Sequence, residues 1–143
     1  MNQLAIQTPP HRRKVSPRMT QAVPLVLIAE DDTHSLYLME RYTRSCGCQP
    51  LGTTRGENVL VLARQKKPAV IFLDLMLPGM SGWKVLQALR ADPLTRPIPV
   101  IICTALNEAD HALEEGTGYL HKPVYYQDFL NALVDAGIEP PNN

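Results

Sequence analysis

Apolar runs in this chain stop abruptly on polar groups. Leu25-Val-Leu-Ile-Ala29 runs into Glu30-Asp31-Asp32, and Val70-Ile-Phe-Leu73 runs into Asp74, followed by the turn signal Pro78-Gly79 and by Gly82. A short apolar run without alternation, bounded by turn residues, is the pattern of a strand buried on both faces. Ile98 to Cys103, closing on Thr104, and Gly118 to His121, closing on Lys122-Pro123, read the same way, and Gln49 to Thr53 is a weaker strand. Between these runs the apolar period lengthens to that of a helix. Leu36, Met39 and Tyr42-Thr43 predict a helix over 33–46, with Asp32 or Thr33 as N-cap and Gly47 as its stop. Val59, Leu60, Leu62 and Ala63 predict one over 56–67, ended by Pro68, with Arg64, Lys66 and Lys67 where cations suit the helix dipole. Val85, Leu86, Ala88 and Leu89 place a third over 82–91. A short helix is expected over 108–115, and Phe129, Leu130, Leu133 and Val134 predict a last one over 125–136. Five strands alternating with five helices predict an α/β fold: a doubly wound parallel sheet, joined by right-handed crossovers and covered on both faces.

Composition changes this picture little, and charge changes it at one end. The 143 residues, 45% hydrophobic and 20% charged, suit one globular domain. Residues 1–22 hold Arg12, Arg13, Lys14 and Arg18 with no acid and three prolines, whereas the remainder is mildly acidic. A basic, disordered extension over 1–22 and a folded domain over 23–138 are expected. An acidic body argues against direct DNA binding. The longest apolar runs have strand length, so neither a signal peptide nor a membrane span is predicted, and a cytoplasmic location follows by default. Cys46, Cys48 and Cys103 are expected as free thiols, and Cys46-Gly-Cys48 lacks the second ligand pair of a zinc site.

In a parallel sheet all carboxyl ends lie on one edge, where such sheets bind ligands. Glu30, Asp31, Asp74, Thr104 and Lys122 should therefore converge there. Any one of them alone is an ordinary polar residue at a strand end. Jointly they place three mutually repelling carboxylates beside two donors. A hard divalent cation with oxygen ligands, Mg²⁺, relieves the repulsion. The hydroxyl and ammonium suit phosphoryl oxygens. A carboxylate nucleophile, a metal and two donors amount to phosphoryl transfer onto an aspartate.

Four segments carry a family resemblance: Leu27-Ile-Ala-Glu30-Asp31-Asp32, Phe72-Leu-Asp74-Leu-Met-Leu-Pro78-Gly79-Met-Ser-Gly82, Ile101-Ile-Cys-Thr104-Ala105 and Tyr119-Leu-His-Lys122-Pro123. Over residues 24–136 the chain resembles the receiver domain of two-component response regulators, a flavodoxin-like fold with strand order 2-1-3-4-5. The resemblance implies that Asp74 is the phosphoacceptor, that Glu30, Asp31, Asp74 and the backbone carbonyl of Met76 hold Mg²⁺, and that Thr104 and Lys122 contact the phosphoryl group. It implies that Thr104 and Tyr119 form the conformational switch and that the Lys122–Pro123 bond is cis. The phosphodonor would be a histidine kinase or a histidine phosphotransfer protein. The output would pass to an unknown protein partner or a homodimer, and the chain would be no enzyme beyond catalysing its own phosphorylation and dephosphorylation. Residues 105–121 are fewer than similar proteins carry, by roughly one turn of helix, so a shortened fourth helix is expected. The apolar Met76 and Leu106, near the expected phosphoryl group, cannot position a hydrolytic water.

Three other readings compete with this one. A phosphatase of the haloacid-dehalogenase type would want an acid where Met76 stands. A nucleotide- or flavin-binding domain would want glycines where Glu30-Asp-Asp-Thr33 stands. A receiver used as an interaction module, with phosphorylation idle, sits poorly with a complete acid set.

Overall fold

The computed structural model describes residues 23–105 and 117–142. Strands β1 (Leu25–Ala29), β2 (Gln49–Thr53), β3 (Val70–Asp74), β4 (Val100–Thr104) and β5 (Thr117–His121) form one sheet in the order β2-β1-β3-β4-β5. All four neighbouring pairs are parallel. The helices are α1 (Thr33–Ser45), α2 (Glu57–Lys66), α3 (Gly82–Ala91) and α4 (Tyr126–Asp135). The extension over 1–22, the helix expected over 108–115 and the shortening it implies lie outside the described residues. Among the described residues, no helix is long and apolar enough to cross a membrane.

The sheet is doubly wound, and side-chain alternation divides its strands between two cores. Leu27, Ile71, Leu73, Val100 and Ile102 pack with Val59 and Ala63 of α2 and Val85 and Leu89 of α3. On the other face, Val26, Ile28, Val70, Phe72 and Ile101 pack with Met39 of α1 and Phe129, Leu130 and Leu133 of α4. Strands β3 and β4 are buried along their full length, as expected of central parallel strands.

Local signals set the boundaries. Asp32 is the N-cap of α1: its carboxylate accepts the Ser35 amide at 3.0 Å and the Ser35 hydroxyl at 2.6 Å. Gly47 follows α1 at φ +86°, the left-handed conformation that glycine adopts without strain. Two expectations shift. β4 begins at Val100 rather than Ile98, because the Ile98 amide is committed to a turn bond with Thr95 and Pro99 has no amide to give a ladder. Val134 is 49% exposed, because the buried stripe of α4 runs through Phe129, Leu130 and Leu133 and residue 134 falls one position outside it. The three cysteines are free and buried.

Candidate functional site

The carboxyl edge of the sheet gathers the polar residues. Ala29 lies opposite Leu73, so Glu30 follows β1 beside Asp74, the last residue of β3. Asp74 and Glu30 are only 4% and 2% exposed, which puts two acids out of water within one site. One ammonium serves both: Lys122 Nζ lies 2.8 Å from Asp74 Oδ2 and 2.6 Å from Glu30 Oε1. The remaining oxygens are also occupied. Asp74 Oδ1 accepts the Met76 amide at 3.0 Å, and Glu30 Oε2 accepts the Asp32 amide at 3.0 Å. Asp31 is exposed at the mouth.

Backbone ties hold the frame. The Glu30 amide donates to the Thr53 carbonyl at 3.0 Å, and the Lys122 amide donates to the Thr104 carbonyl at 2.9 Å. Cys103 pairs with Asp74 across β3 and β4, so Thr104, buried, sits one residue beyond the acid. Tyr119 lies opposite Ile102, half-buried against the α2/α3 core. The Lys122–Pro123 bond is cis. α3 starts tight against the site, with Ser81 capping it and the Gly82 amide donating to the Leu75 carbonyl at 2.9 Å. A Cβ on Gly82 would lie 2.3 Å from the Asp74 carbonyl oxygen, so only glycine fits there.

Burial raises the pKa of Glu30, opposed by the hydrogen bonds from Lys122 and the Asp32 amide and reinforced by the charge of Asp74. For Lys122, burial works against the ammonium. It is outweighed by the hydrogen bonds and charges of Asp74 and Glu30, so the lysine is held above its ordinary value and stays charged. Glu30, Asp31 and Asp74 each offer an oxygen within 4.8 Å of the others. An all-oxygen set with one member open to solvent fits a hard divalent cation that keeps some of its waters. Transition metals that prefer nitrogen or sulfur find no such ligand in it.

The family model for the response regulator receiver domain matches residues 26–134. The chain belongs to the response regulator receiver domain family. This receiver is 33% identical over 112 residues to the protein PilH of Pseudomonas aeruginosa, covering 76% of the chain and 93% of PilH. It is 30% identical to the polar-differentiation response regulator DivK of Brucella anthropi, covering 76% of the chain and 91% of DivK. Among solved structures, it superposes with a TM-score of 0.73 on the receiver domain of the sensor histidine kinase PA1611 from Pseudomonas aeruginosa. That structure holds a magnesium ion in its active-site cleft, shares 26% identity, and is matched over 81% of this chain and 99% of its own. The receiver fold, its parallel sheet and the order 2-1-3-4-5 are thus established for this protein.

The structure brings Glu30, Asp31, Asp74 and Lys122 into one cluster, ties Lys122 to Thr104 through the backbone, and brings the Met76 amide to Asp74. Two site contacts were not legible in the receiver's sequence. The ion pair of Lys122 with Glu30 depends on side-chain direction. The Tyr42 hydroxyl donates to the Val124 carbonyl at 3.0 Å across 82 positions, a separation no local pattern encodes.

Proposed function

We propose that this receiver accepts a phosphoryl group on Asp74, in a Mg²⁺-dependent reaction, from a histidine kinase or a histidine phosphotransfer protein. The observation that carries this reading is the buried Asp74 carboxylate sharing one ammonium with Glu30 while Asp31 stands open beside them. An Asp74 oxygen attacks phosphorus, the phosphorus–nitrogen bond of the donor phosphohistidine breaks, and its electron pair remains on the imidazole, which takes up a proton. Glu30, Asp31, Asp74 and the Met76 carbonyl would hold Mg²⁺, which when bound supplies a Lewis acid for the phosphoryl oxygens. The magnesium ion in the PA1611 receiver supports that assignment. Lys122 turns from the Asp74 carboxylate to a phosphoryl oxygen, and the Thr104 hydroxyl donates to another. Drawing Thr104 toward the phosphoryl group makes room for Tyr119 to pack further inward. That biases a pre-existing equilibrium at the protein–protein surface through which the signal leaves.

The test is transfer of radiolabel from a phosphorylated histidine phosphotransfer domain. Label should move to the wild type and not to Asp74→Asn; equal labelling of the two would place the acceptor elsewhere. With an apolar, 62% exposed Met76 two residues past Asp74, the transferred label should persist for minutes or longer. Its loss within seconds under native conditions would contradict that expectation.

A further inference from the structure

The face of the sheet beneath Asp74 and Lys122 holds a connected aromatic set. Phe72, two residues before Asp74 on the same side of β3, stacks on Phe129 of α4 with ring centroids 4.7 Å apart and planes 16° apart. Phe129 meets Tyr42 of α1 at 5.6 Å, and Tyr42 meets Tyr126 at 5.5 Å. The Tyr42 ring is therefore fixed between two aromatics of α4, and its hydroxyl can point only where that packing directs it. It donates to the carbonyl of Val124, two residues past Lys122. Val124 is buried in the same core, so its carbonyl and its side chain are both held.

Lys122 needs such support. It stands outside regular structure, just past the edge strand β5, yet its ammonium must reach two buried acids on the far side of β4. Its backbone is tied on the upstream side by the amide bond to Thr104. On the downstream side, Tyr42 ties Val124, beside the Tyr125–Asp128 cap that opens α4.

We propose that Tyr42 is a positioning residue for Lys122, its hydroxyl clamping the Lys122-Pro123-Val124 turn so that the ammonium is delivered to Asp74. This rests on the role of Lys122 in phosphoryl transfer given above. Tyr42 touches neither phosphoryl group nor metal, and acts only through the turn. A Phe at this position keeps the stack and loses the clamp.

The test compares wild type, Tyr42→Phe and Asp92→Asn, with an acyl phosphate as donor and excess Mg²⁺. Asp92 lies at the far end of α3 and serves as a control for lost stability without lost positioning. The rate of phosphorylation in Tyr42→Phe should fall about fivefold, the weight of one modest hydrogen bond, while Asp92→Asn keeps the wild-type rate. In the metal-free protein, the backbone amide resonance of Lys122 should move and exchange faster in Tyr42→Phe only. An unchanged rate in Tyr42→Phe, an unmoved Lys122 amide, or equal slowing in Asp92→Asn would each overturn the assignment. Failure of the wild type itself to take up a phosphoryl group would instead overturn the reading of the site.

Discussion

Glu30 and Asp92 are both carboxylates at the ends of elements, and the fold treats them in opposite ways. Glu30 sits at the carboxyl edge of the sheet, buried, and its pKa is raised by burial against the pull of Lys122. Asp92 caps the C-terminus of α3 at the opposite edge, and its pKa is lowered by the Leu94 amide and by Arg64. Asp92, partly exposed, has the cations Arg64 and Arg96 near it and works for stability. Glu30 shares a dry site with a second acid and depends on one lysine. One edge is arranged for folding. The other carries like charges that a metal or a phosphoryl group would turn to use.

The contrast can be broken most strongly at Lys122. Lys122→Ala leaves two buried acids without their cation and should destabilise the metal-free protein by about 2 kcal/mol at neutral pH. Added Mg²⁺ should close most of that gap, as read by thermal unfolding. No loss of stability in Lys122→Ala would mean that the two acids are not strained against each other. Opposite signs are expected from the paired acids. The folded protein binds the Glu30 proton more tightly than the unfolded chain, so stability from this group grows as pH falls through its raised pKa, until the ordinary glutamate value is reached. Glu30→Gln should accordingly raise the melting temperature at neutral pH and flatten this pH dependence. Asp92 contributes stability above the ordinary aspartate pKa and loses it as pH falls through its lowered one. Asp92→Asn should lower the melting temperature slightly at neutral pH, with the difference vanishing in acid. If both substitutions shifted stability in the same direction, the distinction between the two edges would fail.

Much of this was legible in the sequence because it is local. The runs Leu25–Ala29 and Val70–Leu73 stop on acids, and a parallel sheet has to bring such stops to one edge. The cap at Asp32 and the stop at Gly47 are likewise written in adjacent residues. What escaped is long-range or directional. The Glu30–Lys122 pair requires knowing where a flexible side chain turns, and the Tyr42–Val124 bond joins α1 to a loop that only the folded sheet brings near. Residues 133 and 134 look alike in an apolar pattern, while the helix buries only Leu133.

On the proposed reading the carboxyl edge holds a phosphoryl group on Asp74, and the intact mass of the protein after incubation with an acyl phosphate and Mg²⁺ tests this. A single phosphoryl adduct is expected, absent when Mg²⁺ is chelated and absent in Asp74→Asn. A wild type that gains no adduct, or an Asp74→Asn variant that gains the same one, would contradict it.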